Sequence, residues 1–163
     1  MQKISPFFWF DTQAEEAANY YVALFPDSKI NKVVRYPKAA DKVSPEGAGK
    51  VMTVDLTLNG TNFTFLNGGK NDEFLGKPGP VSFVVNCDTQ DEVDKYWDAL
   101  TEDGRPNVCG WTQDKYGITW QIVPTILPKL LSDPDPEVVN RVTACFMKMT
   151  KFDIAELEKA AKP

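Results

Sequence analysis

The side chains of this chain that could do chemistry are carboxylates, tyrosines, lysines and three cysteines; among its 163 residues there is no histidine. That absence removes Ser-His-Asp and Cys-His catalysis, which need imidazole to move a proton. It also removes the commonest ligand for zinc, iron, nickel and copper. A general acid or base has to be Asp, Glu, Tyr, Cys or Lys, and an oxygen-ligated ion needs converging carboxylates. Two acids stand out as candidate bases: Asp55, inside an alternating segment, and Asp114, ahead of a glycine turn, where bonding the turn backbone is the simpler role. Cys87, Cys109 and Cys145 are odd in number and widely spaced, which suits neither a disulfide framework nor a zinc motif. Cys87 reads as a packed strand residue. Cys109, beside Gly110 in a loop, is the one thiol to test for reactivity. No residue is assigned as catalytic.

The elements that must position these groups come in two copies. PFFWFDTQAEEAANYYVAL (6–24) and VSFVVNCDTQDEVDKYWDAL (81–100) each run from an apolar strand through Asp-Thr-Gln into a helix ending Tyr-x-x-Ala-Leu. Internal repetition of a supersecondary unit sets the architecture before any chemistry is considered. Thr12 with Glu15 and Thr89 with Glu92 have the spacing of capping boxes. Ala17, Tyr20, Tyr21 and Leu24 then correspond to Val93, Tyr96, Trp97 and Leu100 at helical spacing. The register between cap and face slips by one, as if the first copy carries an extra residue near Glu16.

Each copy continues in strands. Residues 29–36 read as one, 37–50 as a surface loop, and 52–58 with 61–66 as a hairpin about Asn59-Gly60, the strongest short hairpin signal. The second copy has a short strand near Val108 and a hairpin of 111–114 and 118–123, ended by Pro124. Pro134-Asp135-Pro136 starts a helix with apolar Val138, Val139, Val142, Phe146 and Met149, and Asp153 with Glu156 caps a last one. These helices need a sheet face or a second subunit to cover. The division is a module at about 3–69, a linker at 70–80 containing Pro78-Gly79-Pro80, a module at about 81–124 and a helical tail at 125–163, all in one domain. The fold class is α+β, two tandem βαβββ modules.

A net charge of −5 argues against sequence-independent nucleic-acid binding, which needs a basic surface. No apolar run reaches spanning length and no leader pattern precedes the first strand, so the expectation is a cytoplasmic protein without membrane contact.

Several motifs go further. Trp9-Phe10-Asp11-x-x-Ala14-Glu15-Glu16-Ala17 with Tyr21, Asn67-Gly68-Gly69, Ser82-Phe83-Val84-Val85, Cys109-Gly110-Trp111, Asp114-Lys115-Tyr116-Gly117 and Trp120-Gln121-x-Val123-Pro124 occur in order at compatible spacings. Together they resemble the PhnB-like branch of the vicinal oxygen chelate (glyoxalase/bleomycin-resistance/dioxygenase) superfamily, the group often labelled 3-demethylubiquinone 3-methyltransferase. The resemblance implies curved sheets forming a cup, helices outside, and a homodimer. It also implies metal-ligand positions in the superfamily's enzymes, which fall here near Ser5 and Ser82 on the first strands, on Gln121, and near Phe65 or Asn67. Where metal-binding relatives have histidine and glutamate, this chain has neutral serine and glutamine, poor ligands for a divalent ion. The expectation is no metal and no cofactor.

Strand alternation puts Ser5, Phe7 and Trp9 on one face and Phe8 and Phe10 on the other, with Ser82, Val84 and Asn86 matching the first set. If Phe8, Phe10, Phe83 and Val85 pack under the helices, Phe7, Trp9, Asn67, Ser82, Asn86, Trp111 and Gln121 are the candidate ligand contacts. Trp111 and Trp120 could alternatively be a cross-strand packing pair. The function expected is metal-free binding of a small, partly aromatic molecule. The alternatives are an enzyme with a non-standard acid–base or metal site, a dimeric scaffold without ligand, and the methyltransferase of the family label. The last is disfavoured because Asn67-Gly68-Gly69 leads into polar linker and not into a helix.

Overall fold

A computed structural model describes residues 4–42, 44–71 and 81–162; most of the expected linker, including Pro78-Gly79-Pro80, lies outside them. The chain divides into two units, Met1–Lys77 and Pro78–Pro163.

In the first unit, β1 (Phe7–Phe10) leads into α1 (Ala14–Leu24), β2 (Lys29–Arg35), β3 (Val51–Leu58) and β4 (Thr61–Asn67). The sheet order is β1-β4-β3-β2, with β1 parallel to β4 and the other pairs antiparallel. Asn59 and Gly60, at φ 43° and 78°, make the tight turn between β3 and β4, as the Asn-Gly pair predicts. Ala14, Ala17 and Ala18 are fully buried, and their small side chains let α1 lie close on the sheet. Beneath it Phe65 stacks with Phe8 at 5.1 Å and meets Phe10 at 5.0 Å and Tyr21 at 5.8 Å. Each such aromatic pair adds about 0.5–1.5 kcal/mol beyond area burial.

The second unit repeats the plan: β5 (Phe83–Cys87), α2 (Gln90–Thr101), β6 (Arg105–Pro106), β7 (Trp111–Gln113) and β8 (Thr119–Pro124) in the order β5-β8-β7-β6. Both modules are therefore βαβββ, each with an open four-stranded sheet. The strand expected near Val108 is displaced: Arg105 and Pro106 pair with Gln113 and Thr112, while Val108 is 54% exposed. An edge strand tolerates Pro106, whose missing N–H would break an interior ladder.

The helix starts explain the one-residue slip. Thr89 Oγ1 accepts the Glu92 N–H, and the Glu92 carboxylate accepts the N–H of Asp88, one residue before the N-cap, so α2 starts on a variant of the expected capping box. Thr12 has no such role. The extra residue moves the N-cap of α1 to Gln13, whose side chain makes no cap hydrogen bond. The duty passes to Asn67, 53 residues away in sequence, whose Oδ1 accepts the Ala14 N–H at 2.7 Å.

After β8 come α3 (Ile126–Leu130), which periodicity did not predict, α4 (Pro136–Phe146) and α5 (Ile154–Ala161). Asp135 and Asp153 cap the last two, as expected. The tail is tied into its own unit. Gln90 donates to Phe152 O and accepts from Ile154 N–H, Cys109 and Gly110 donate to Met149 O and Thr150 O, and Lys151 reaches Asp94 at 2.9 Å. Among the described residues no helix is long and apolar enough to cross a membrane.

Candidate functional site

Each sheet has one face under its helix and one turned away, and strand register sorts the candidates between them. In the second unit Val84 pairs with Gln121, and Gln121 with Trp111. Residues directly opposite in a ladder point the same way, so the row Val84–Gln121–Trp111 lies on the face away from α2. Val84 and Trp111 are 50% and 39% exposed, and Asn86 on the same face is exposed. Gln121 Nε2 donates to Ser82 Oγ at 2.8 Å. The first-strand and last-strand positions singled out in this module thus touch. Beyond Trp111 the face continues into a recess of about 280 Å³ at the β6–β7 edge, where Arg105, Asn107, Gln113 and Thr119 join Trp111.

Trp120 belongs to the other face. It pairs with Thr112, not with Trp111, is 4% exposed, packs on Phe83 with ring centroids 5.6 Å apart and donates its indole N–H to Asp114 Oδ2 at 2.7 Å. The cross-strand Trp111–Trp120 reading is therefore wrong, because the two rings point to opposite sides. Asp114 is equally committed: its Oδ1 accepts the Tyr116 and Ile118 N–H groups. This buried carboxylate organises the Asp114-Lys115-Tyr116-Gly117 turn and is no candidate base.

In the first unit the corresponding row is Phe7–Thr64–Asp55–Lys32. Phe7 is 58% exposed, and Thr64 donates its hydroxyl to Asp55 Oδ1 at 2.8 Å. Thr64, rather than Phe65 or Asn67, is the counterpart of Gln121. It lies four residues beyond its turn glycine, Gly60, as Gln121 does beyond Gly117. The same count would have found it in the sequence. Of the two acids first considered as bases, only Asp55 lies on an open face.

Asn67 is on the buried face, paired with Phe10 and 2% exposed. Its Nδ2 donates to Val51 O at 3.2 Å while Oδ1 caps α1, and its backbone O accepts the Tyr36 hydroxyl at 2.6 Å. The alternation that puts Phe7 and the half-buried Trp9 on the face away from α1 sends Asn67 the other way, so its carboxamide is spent inside the unit. The two glycines after it serve Trp9, whose Nε1–H donates to Gly69 O at 2.8 Å. A β-carbon on Gly68 would lie 2.2 Å from the indole ring. The Asn-Gly-Gly run is filled by the protein itself and offers no cradle for a nucleotide-like methyl donor.

The thiols divide as expected by burial. Cys87 is fully buried, and burial, reinforced by Glu92 and Asp88, pushes its pKa up to about 12. Cys109 sits in a left-handed bend at φ 57° with its Sγ 3.8 Å from Phe146 O. Among the described residues no three Cys, Asp or Glu side chains converge where they could hold a metal ion. Ser82 with Gln121 and Thr64 with Asp55 offer hydroxyls, one amide and a single carboxylate, a donor set poorly suited to a divalent ion.

The sequence model of the 3-demethylubiquinone-9 3-methyltransferase family matches residues 2–123. The solved PhnB protein of Bacillus cereus is 34% identical over 76% of this chain and all of its own, with a TM-score of 0.65. Protein PA1353 of Pseudomonas aeruginosa shares the fold at 19% identity and a TM-score of 0.53, over 76% of this chain and 98% of its own. No curated protein matches.

Proposed function

The chain belongs to the 3-demethylubiquinone-9 3-methyltransferase family, in its PhnB-like branch, and from that premise we propose that it is a metal-independent small-molecule-binding protein whose ligand rests on the open face of the second sheet. The observation that carries this reading is the 2.8 Å hydrogen bond from Gln121 to Ser82 beside the exposed ring of Trp111. A hydroxyl and an amide facing each other are directed polar contacts between the apolar Val84 and Trp111 side chains, a combination that small-molecule sites use to orient a ligand. Trp111 suits a flat, partly aromatic body, and Arg105 in the adjoining recess suits a carboxylate or other anionic group on it.

The test uses protein stripped with chelator. A thermal-shift screen of aromatic acids and phenols, followed by quenching of tryptophan fluorescence, should yield a saturable ligand. Gln121→Ala should weaken it by about tenfold, the worth of one good hydrogen bond, with the melting temperature unchanged. Stoichiometric metal in untreated protein, or a ligand that binds only once metal is restored, would overturn metal independence. Saturable binding of S-adenosylmethionine would reinstate methyl transfer. Sedimentation of the same sample checks the homodimer that the family resemblance implies.

A second reading, catalysis by an acid–base group, rests on Asp55, whose carboxylate meets the Thr64 hydroxyl on the open face of the first sheet. It requires that Asp55→Asn abolish turnover of the bound molecule while leaving its affinity in place.

A further inference from the structure

The three C-terminal helices lie beyond the stretch that matches the family, which ends at residue 123. α4 and α5 bury Val142 and Leu157 completely, and beside that contact the seam widens into a shallow, open groove of about 670 Å³. Short or pliable apolar side chains line part of it: Ala144, Met149 and Ala160. The rest of the lining brings Arg141, Lys148, Lys159 and Lys162 together with a single carboxylate, Glu156. In a chain of net charge −5 this local excess of cations runs against the whole and favours anions at this surface.

The cations are not equivalent. Arg141 is built in: its Nε and Nη2 donate to Ala160 O and Ala161 O, each at 3.1 Å, so one guanidinium on α4 caps the end of α5. That use suits the negative end of a helix and engages two of its five N–H donors. Glu156 already lies 3.5 Å from Lys159. Among the described residues no ion pair engages Lys148 or Lys162.

We propose that this groove binds an amphipathic anion of the alkyl carboxylate class, its head between Lys148, Lys162 and Arg141 and its tail along Ala144, Met149 and Ala160. The groove is shallow and open, which suits a flexible chain laid along it, and methionine adapts to irregular apolar ligands. Neither charge nor apolar surface alone accounts for the combination: a solvated basic face needs no floor, and an apolar seam needs no cationic rim.

The experiment is calorimetric titration of the intact protein with decanoate, decyltrimethylammonium and inorganic phosphate. Decanoate should saturate one site and the other two should not. Lys148→Glu combined with Lys162→Glu should weaken decanoate by about tenfold or more, the loss of charge-assisted contacts. Ala144→Phe, at an exposed position, should fill the groove and do the same at an unchanged melting temperature. Equal saturation by decyltrimethylammonium, indifference to both variants, loss of binding in Gln121→Ala, or attachment to anionic vesicles without binding of monomeric decanoate would each overturn the assignment.

Discussion

Replacing Asn67 with alanine separates a structural role from a ligand-binding one at a residue whose sequence context suggests either. The side chain makes two buried hydrogen bonds, accepting from Ala14 N–H at 2.7 Å and donating to Val51 O at 3.2 Å. Losing an N-cap costs about 0.5–2 kcal/mol. Here no substitute is at hand, because Gln13 makes no side-chain cap. A buried carbonyl left unpaired costs a further 1–3 kcal/mol or so. The expected destabilisation is therefore about 1.5–5 kcal/mol, a large share of the roughly 5–15 kcal/mol that holds a domain together. Urea unfolding followed by circular dichroism measures it, and amide exchange should show protection lost first at the start of α1. A loss under about 1 kcal/mol for Asn67→Ala, or lost ligand affinity at full stability, would refute the capping account.

Gly68→Ala should be disproportionately costly for so small a change. Its β-carbon would sit 2.2 Å from the Trp9 ring, forcing the indole off Gly69 O at about 1–3 kcal/mol, visible as a lower melting temperature and altered tryptophan emission. Cys87, with its pKa pushed up to about 12 from an ordinary 9.0, should resist iodoacetamide at pH 8 until the protein is unfolded. Its raised folded-state pKa contributes stability that is complete below about pH 9 and lost as pH climbs toward 12; unfolding midpoints that do not fall across that window would contradict it.

Local signals in the sequence read well because their physics is local. The Asn59-Gly60 turn, the Thr89–Glu92 box and the Asp135 and Asp153 caps each depend on a few adjacent residues. The split of β1 into a buried Phe8/Phe10 face and an open Phe7/Trp9 face follows from strand period alone. What was not legible depends on partners far along the chain. Asn67 caps a helix 53 residues away, a β-carbon at Gly110 would strike the Phe152 ring at 2.5 Å, and the Gln121–Ser82 bond spans 39 residues. Only the last had a sequence handle, the superposition of the two modules. Applied evenly, that superposition also yields Thr64. The strand expected near Val108 failed for a nearer reason: proline is a poor strand residue in a sheet interior, whereas at the sheet edge Pro106 pairs with Thr112.

The motifs that carry the family resemblance are, in this chain, largely the ones that hold it together. Asn67-Gly68-Gly69 caps α1 and seats Trp9. Cys109-Gly110 donates to the tail and clears space for Phe152. Asp114 bonds its own turn and the Trp120 indole. Because these side chains and glycines are occupied within their units, sharing them transmits a scaffold and says little about the reaction named in the family's title. On the function proposed above, ligand contacts fall to what the scaffold leaves open, namely Ser82, Trp111 and Gln121 on one sheet and Phe7, Asp55 and Thr64 on the other. The two sets differ in kind. One is neutral and amide-bearing; the other carries a carboxylate. Substitutions at these open positions, motif members such as Trp111 and Gln121 included, should therefore alter ligand choice at constant stability, and substitutions at the inward-facing motif residues Asn67, Gly68, Gly110 and Asp114 should do the reverse.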